Sequence, residues 1–92
     1  MNVLGGQYVA ELLLFLLERE EVHTVELKEI SSYYQGVMRK AEELALIGLV
    51  NIEESADPYR KRTFMLTEEG IEIAEILKEA EDHIQRNKVE SK

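Results

Sequence analysis

The spacing of apolar residues changes character several times along the chain, and each change marks an element. From about Gly6 to Glu20, Val9, Leu12, Leu13, Leu16 and Leu17 fill one broad helical face, while Leu14 and Phe15 flank the Glu11/Glu18 side. A helix apolar nearly all round is usually buried from two directions. Thr24 is placed to cap a short helix from Val25 to Ile30, with Glu26 at its positive end. Ser32-Tyr33-Tyr34-Gln35 has the form of a capping box. It opens a third helix that runs to about Ile47 and stops at Gly48, with Val37, Ala41 and Leu44 facing inward and Tyr33 and Tyr34 on the flanks. Gln35, Met38, Arg39, Glu42, Glu43 and Leu46 face the other way.

Beyond Gly48 the period shortens. Leu49 to Glu53 and Arg62 to Leu66 read as two strands, joined by a polar segment whose Asp57-Pro58 signals a turn. Thr67 then caps a final helix that starts with Glu68 and Glu69, carries the stripe Ile73, Ile76, Leu77, Ala80 and Ile84, and reaches about Arg86. The expectation is a single domain over 1–92, mainly α with a small β-hairpin, its core within about 6–77 and an extended C-terminal helix over about 68–87.

Composition narrows the chemistry. The chain has 92 residues, 45% of them hydrophobic, and no cysteine. Disulfides, cysteine-ligated metals and thiol nucleophiles are therefore excluded within it. Eleven basic residues stand against nineteen acidic ones, a net charge of -8. Such a surface repels phosphate backbones and anionic lipids at long range. The run Leu12 to Leu17 is bracketed by Glu11 and Glu18, too short for a spanning helix, and nothing at the amino terminus has the form of a targeting signal. A soluble, cytoplasmic protein is expected. His23 and His83 lie far apart with no carboxylates at ligand spacing, and no phosphate loop or nucleophile motif occurs. No metal, no cofactor and no enzymatic activity are expected.

Helix, short helix, helix, hairpin, helix is the order of a winged helix-turn-helix. The segment Val37 to Val50 resembles the recognition helix and first wing strand of the MarR-like group of prokaryotic winged-helix regulators: a valine, a leucine further on, then glycine followed by Leu49-Val50. Phe64-Met65-Leu66-Thr67-Glu68-Glu69-Gly70 is similar to their second landmark. The resemblance covers Val22 to Leu77, with one departure: Leu27 to Val37 is a residue shorter than usual. The long last helix is also similar to that of archaeal winged-helix proteins that dimerise through a carboxy-terminal coiled coil.

The resemblance implies a small homodimeric regulator that docks its third helix in the major groove of double-stranded DNA and sets its wing on the backbone. Carried onto this chain, Gln35 and Arg39 are the candidate base readers, suited to adenine and guanine. Met38 and Lys40 share that helix, and Tyr33 and Tyr34 offer hydroxyls to phosphate at its start. Tyr59, Arg60, Lys61 and Arg62 form the basic wing tip, with Glu53, Glu54 and Asp57 as competing partners. Leu14, Phe15, Leu77, Ala80 and Ile84 are the candidate dimer contacts. The alternative is a winged-helix module that binds protein and not DNA, favoured by the net charge and the outward Leu46. Charge placement separates the two. A continuous positive face through Arg39, Lys40 and Arg60 to Arg62 favours DNA, and carboxylates of the third helix that break it favour protein.

Overall fold

The computed structural model describes residues 6–55 and 61–90, with side chains to residue 86. Its elements are α1 (Val9–Arg19), β1 (Val22–His23), a 3-10 helix (Thr24–Glu29), α2 (Tyr34–Leu46), β2 (Val50–Ser55), β3 (Lys61–Leu66) and α3 (Glu68–Glu90). The strands form one antiparallel sheet in the order β1-β3-β2. This is a winged-helix fold with a long C-terminal helix, as the sequence implies.

One core serves all three helices. Val9, Leu12, Leu13 and Leu16 of α1 meet Val37, Ala41 and Leu44 of α2, and Phe64 of β3 is fully buried among them. Phe64 lies opposite Val22 on one side and Ile52 on the other, so the central strand places its largest side chain at the middle of the core. The inward stripe read for the third helix is the one buried.

The junction between α2 and α3 is the most closely built part. Gly48 takes φ +84, its N–H donates to the Ala45 carbonyl, and the Leu49 N–H donates to the Leu44 carbonyl. This pair of bonds is a Schellman ending, which needs a left-handed residue where glycine costs least. Thr67 caps α3: its Oγ1 accepts from the Gly70 N–H at 3.0 Å and donates to the Gly48 carbonyl at 2.6 Å. Gly70 is required by proximity, since a Cβ there would stand 2.0 Å from the Leu49 carbonyl oxygen.

Several boundaries differ from the sequence reading. α1 starts at Val9 and ends at Arg19 because Glu20 leaves helical space at φ +68. The hairpin gains a third strand, β1, too short to carry a period. The short helix is 3-10, capped at His23 and not at Thr24, and the His23 N–H donates to the Glu26 carboxylate at 2.9 Å. A 3-10 helix rises about 2.0 Å per residue against about 1.5 Å for an α-helix, so fewer residues span the same distance. The Ser32 capping box does not form. α2 begins at Tyr34, and the Ser31 hydroxyl accepts the Tyr33 N–H at 3.1 Å.

The last helix departs most. It runs past Arg86 to Glu90, and its buried residues among those described are Gly70 and Ala74, with Ile73 and Leu77 half-buried against the core. Ile76, Ala80 and Ile84 are exposed, Ile76 and Ile84 at 62% each. α3 crosses the core only once, so a stripe that continues beyond the crossing has nothing to face among the described residues. The molecule is accordingly elongated, 54 × 25 × 23 Å.

Candidate nucleic-acid interface

The outward face of α2 follows from its inward one. With Val37, Ala41 and Leu44 buried, the helical period turns Gln35, Arg39, Glu42 and Leu46 into one exposed stripe. Arg39 has no ion pair among the described residues; Glu42 and Glu43, three and four residues on along the same helix, are taken by other cations. Lys40 is half-buried and its ammonium lies 2.9 Å from the Glu43 carboxylate. Met38 does not face fully outward, being half-buried against the core.

The two tyrosines separate. Tyr33 precedes the helix and is 56% exposed, whereas Tyr34 is half-buried against the core with the Lys28 ammonium 5.4 Å from its ring centroid. A Cβ on Gly36 would stand 2.8 Å from the Tyr33 ring and 3.3 Å from the Tyr8 ring, so this glycine leaves room for both. Tyr8 holds a left-handed backbone at φ 69, and its hydroxyl is 3.4 Å from the Ser31 hydroxyl. Tyr8, Tyr33, Arg39 and Lys40 line an open cleft of about 510 Å³ at the start of α2. Tyr8 and Lys28 were not candidates from the sequence. Neither belongs to a periodic stripe, and only the folded turn brings them to α2.

The wing's basic run also divides. Tyr59 and Arg60 lie outside the described residues. Lys61 is exposed at the start of β3, with no ion pair among the described residues. Arg62 reaches inward: its Nη1 donates to Glu42 of α2 at 2.8 Å and its Nε to Glu54 of β2 at 3.3 Å. The hydrogen bond it donates to Glu42, ahead of that to Glu54, raises the Arg62 pKa above its ordinary value. Glu54 directly faces Arg62 in the strand register, while the bond to Glu42 ties the wing to α2.

The positive face is therefore not continuous. Glu42 and Glu43 interrupt it in the second half of α2, and each draws in one of the basic side chains. Its first half is different, for the sequence holds no carboxylate from residue 30 to 41, nor from 58 to 67. The acidic charge sits elsewhere, mostly on α3 and around the end of α1. There Arg19 is held by Glu29 at 2.8 Å and stacks 4.5 Å from the Phe15 ring centroid.

The candidate dimer residues fall into two places. Leu14 and Phe15 are half-buried and line a groove of about 360 Å³ with Ile30, rimmed by Glu11, Glu18 and Glu29. Ala80 and Ile84 stand exposed on the far part of α3, and Leu77 packs on the core between them and the sheet. Among the described residues no group of His, Asp or Glu is arranged to hold a metal ion, and no helix is long and apolar enough to cross a membrane.

No protein-family model and no curated protein matches the sequence. Solved structures do match the fold. The redox regulator HypR in its reduced form superposes with a TM-score of 0.80 at 21% identity, covering 99% of this chain and 93% of that one. A transcriptional regulator homologue from Pyrococcus horikoshii OT3 gives 0.77 at 16% identity, covering 94% and 87%. Diamide-treated YodB from B. subtilis gives 0.71 at 17% identity, covering 92% and 85%. At these identities the likeness is one of architecture, and it extends over nearly the whole of this chain, the long last helix included.

Proposed function

We propose that this protein is a homodimeric winged-helix transcription regulator that binds double-stranded DNA. The observation that carries the reading is the carboxylate-free first half of α2, where Gln35 and Arg39, the latter without an ion pair among the described residues, stand together on the exposed stripe. Gln35 is suited to adenine and Arg39 to guanine in the major groove, with Tyr33, Lys40 and Lys61 as phosphate partners and Tyr59 and Arg60 completing the wing. Tyr34 and Met38 support the helix from its buried side. The architectural likeness to proteins described as regulators agrees with this reading. The redox role of HypR is not carried over to this chain, which holds no cysteine.

Fluorescence anisotropy against random-sequence duplex, at low and moderate salt, tests the proposal. Binding that weakens steeply with salt is expected, with a log–log slope of about -0.9 per phosphate neutralised. Arg39→Ala should then cost roughly 1–3 kcal/mol at a selected site and much less on random duplex. Equal losses on both would remove Arg39 from base reading.

Two observations favour the second reading, a protein-binding module: Glu42 and Glu43 break the positive face, and beside them Leu46 is 87% exposed and Ile47 49% exposed at the end of α2. Absence of duplex binding by the wild-type protein at low salt would leave this reading in place of the first.

A further inference from the structure

Glu42 stands on the same exposed stripe of α2 as Gln35 and Arg39, where an approaching phosphate backbone would meet it. Arg62 of the wing donates to Glu42 at 2.8 Å and holds Glu54 with its other edge at 3.3 Å. Two carboxylates against one guanidinium leave this cluster net negative, so it repels a duplex that approaches without compensating contacts. All three groups are also partly open to solvent, with side-chain exposures of 34% for Arg62, 49% for Glu42 and 57% for Glu54. Ion pairs this exposed are weak and exchange readily. A phosphate accepts the same forked pair of N–H bonds that a carboxylate does.

Resting on the DNA-binding reading above, we propose that Glu42 is a specificity-determining residue: it keeps Arg62 from the backbone of non-cognate duplex and releases it to a phosphate when α2 seats in a matching groove. Arg39 and Lys61 need no such release, having no ion pair among the described residues. Phosphate affinity at the wing is then conditional on the position of α2. The discrimination comes from one pair that links the reading helix to the wing.

The test is a salt titration of random-sequence duplex with the full-length chain. Glu42→Gln should tighten binding several-fold and steepen the log–log salt slope by about 0.9 per protomer, because one more cation becomes available to phosphate. In an Arg62→Gln background the same substitution should leave the slope unchanged. Glu53→Gln serves as the control, removing an exposed carboxylate of β2 from the wing while leaving the pair intact. A slope change equal in both backgrounds, or equal to that of the control, overturns the proposal, since charge removal alone would then explain it. The pair itself is read without DNA, from the urea midpoints of the two single variants and the double. Additive shifts overturn it. Non-additive shifts with no duplex bound by wild type or by Glu42→Gln refute DNA binding and the transfer together, leaving the pair as a brace for the wing.

Discussion

The two halves of α3 share one helix and one kind of sequence, yet they live in different surroundings. From Glu68 to Leu77 the helix is anchored: Thr67 caps it, Gly70 presses on the Leu49 backbone, Ala74 is fully buried, and Ile73 and Leu77 pack on the core. From Lys78 to Arg86 every described side chain is exposed, Ile84 among them. The apolar stripe does not change at Leu77. What changes is the supply of surface opposite it, because α1 and the sheet end there. A helical stripe read from sequence tells which face is apolar but not how far its partner extends. Isolated helices shorter than ~12–15 residues are marginal in water, so the far half borrows its nucleation from the near half.

Substitutions at the two halves should differ in size and in readout. Gly70→Ala should have the largest effect, about 3 kcal/mol or more lost in urea unfolding, because the added carbon meets the Leu49 backbone carbonyl at 2.0 Å, which cannot move aside as a side chain can. An unchanged midpoint would show that the junction yields where the structure has it tight. Thr67→Ala follows, at about 1–2 kcal/mol, from loss of the cap and of the bond to the Gly48 carbonyl.

In the far half, Ile76→Glu with Ile84→Glu should move unfolding of an isolated chain by no more than about 0.5 kcal/mol, as expected of exposed positions. The same pair should convert a dimer to monomer in sedimentation, since Ile84 is a candidate dimer contact and Ile76, equally exposed, lies on the same apolar stripe of α3. A wild-type chain that stays monomeric at high micromolar concentration would refute the dimer. Lys78→Ala should do least, under about 0.5 kcal/mol, because its partner Asp82 is 3.9 Å away and both side chains are 61% exposed. A larger effect would mean that this part of the helix is covered in solution.

The features legible in sequence were those set by local chemistry. Gly48 ends α2 and Thr67 starts α3 because a left-handed residue and a side-chain cap are requirements of the backbone itself. The inward stripe of α2 was likewise legible, as Val37, Ala41 and Leu44 follow its period. Elements made by partners were not. β1 exists only because Val22 and His23 meet Phe64 and Thr63. The capping box at Ser32 lost to the Ser31 hydroxyl, since the tight turn after the 3-10 helix starts α2 later than the motif implies. At the candidate interface, the residue types on α2 and Glu54 as a competitor for the basic wing could be listed in advance, whereas the other partner of Arg62 could not: Glu42 is distant in sequence and is brought to it only by the folded wing.

The single hydroxyl of Thr67 has a consequence for how the wing can vary. It joins the end of α2 to the start of α3, and the Thr67 N–H also donates to the Leu49 carbonyl at 3.1 Å, so the whole hairpin is a loop closed at its base. Once a loop's ends are fixed, doubling its length costs only about 0.6 kcal/mol in closure entropy. Residues inserted or removed between Ser55 and Lys61 should therefore leave the helices undisturbed, and the reach of the wing can change independently of the stability of the domain that carries it.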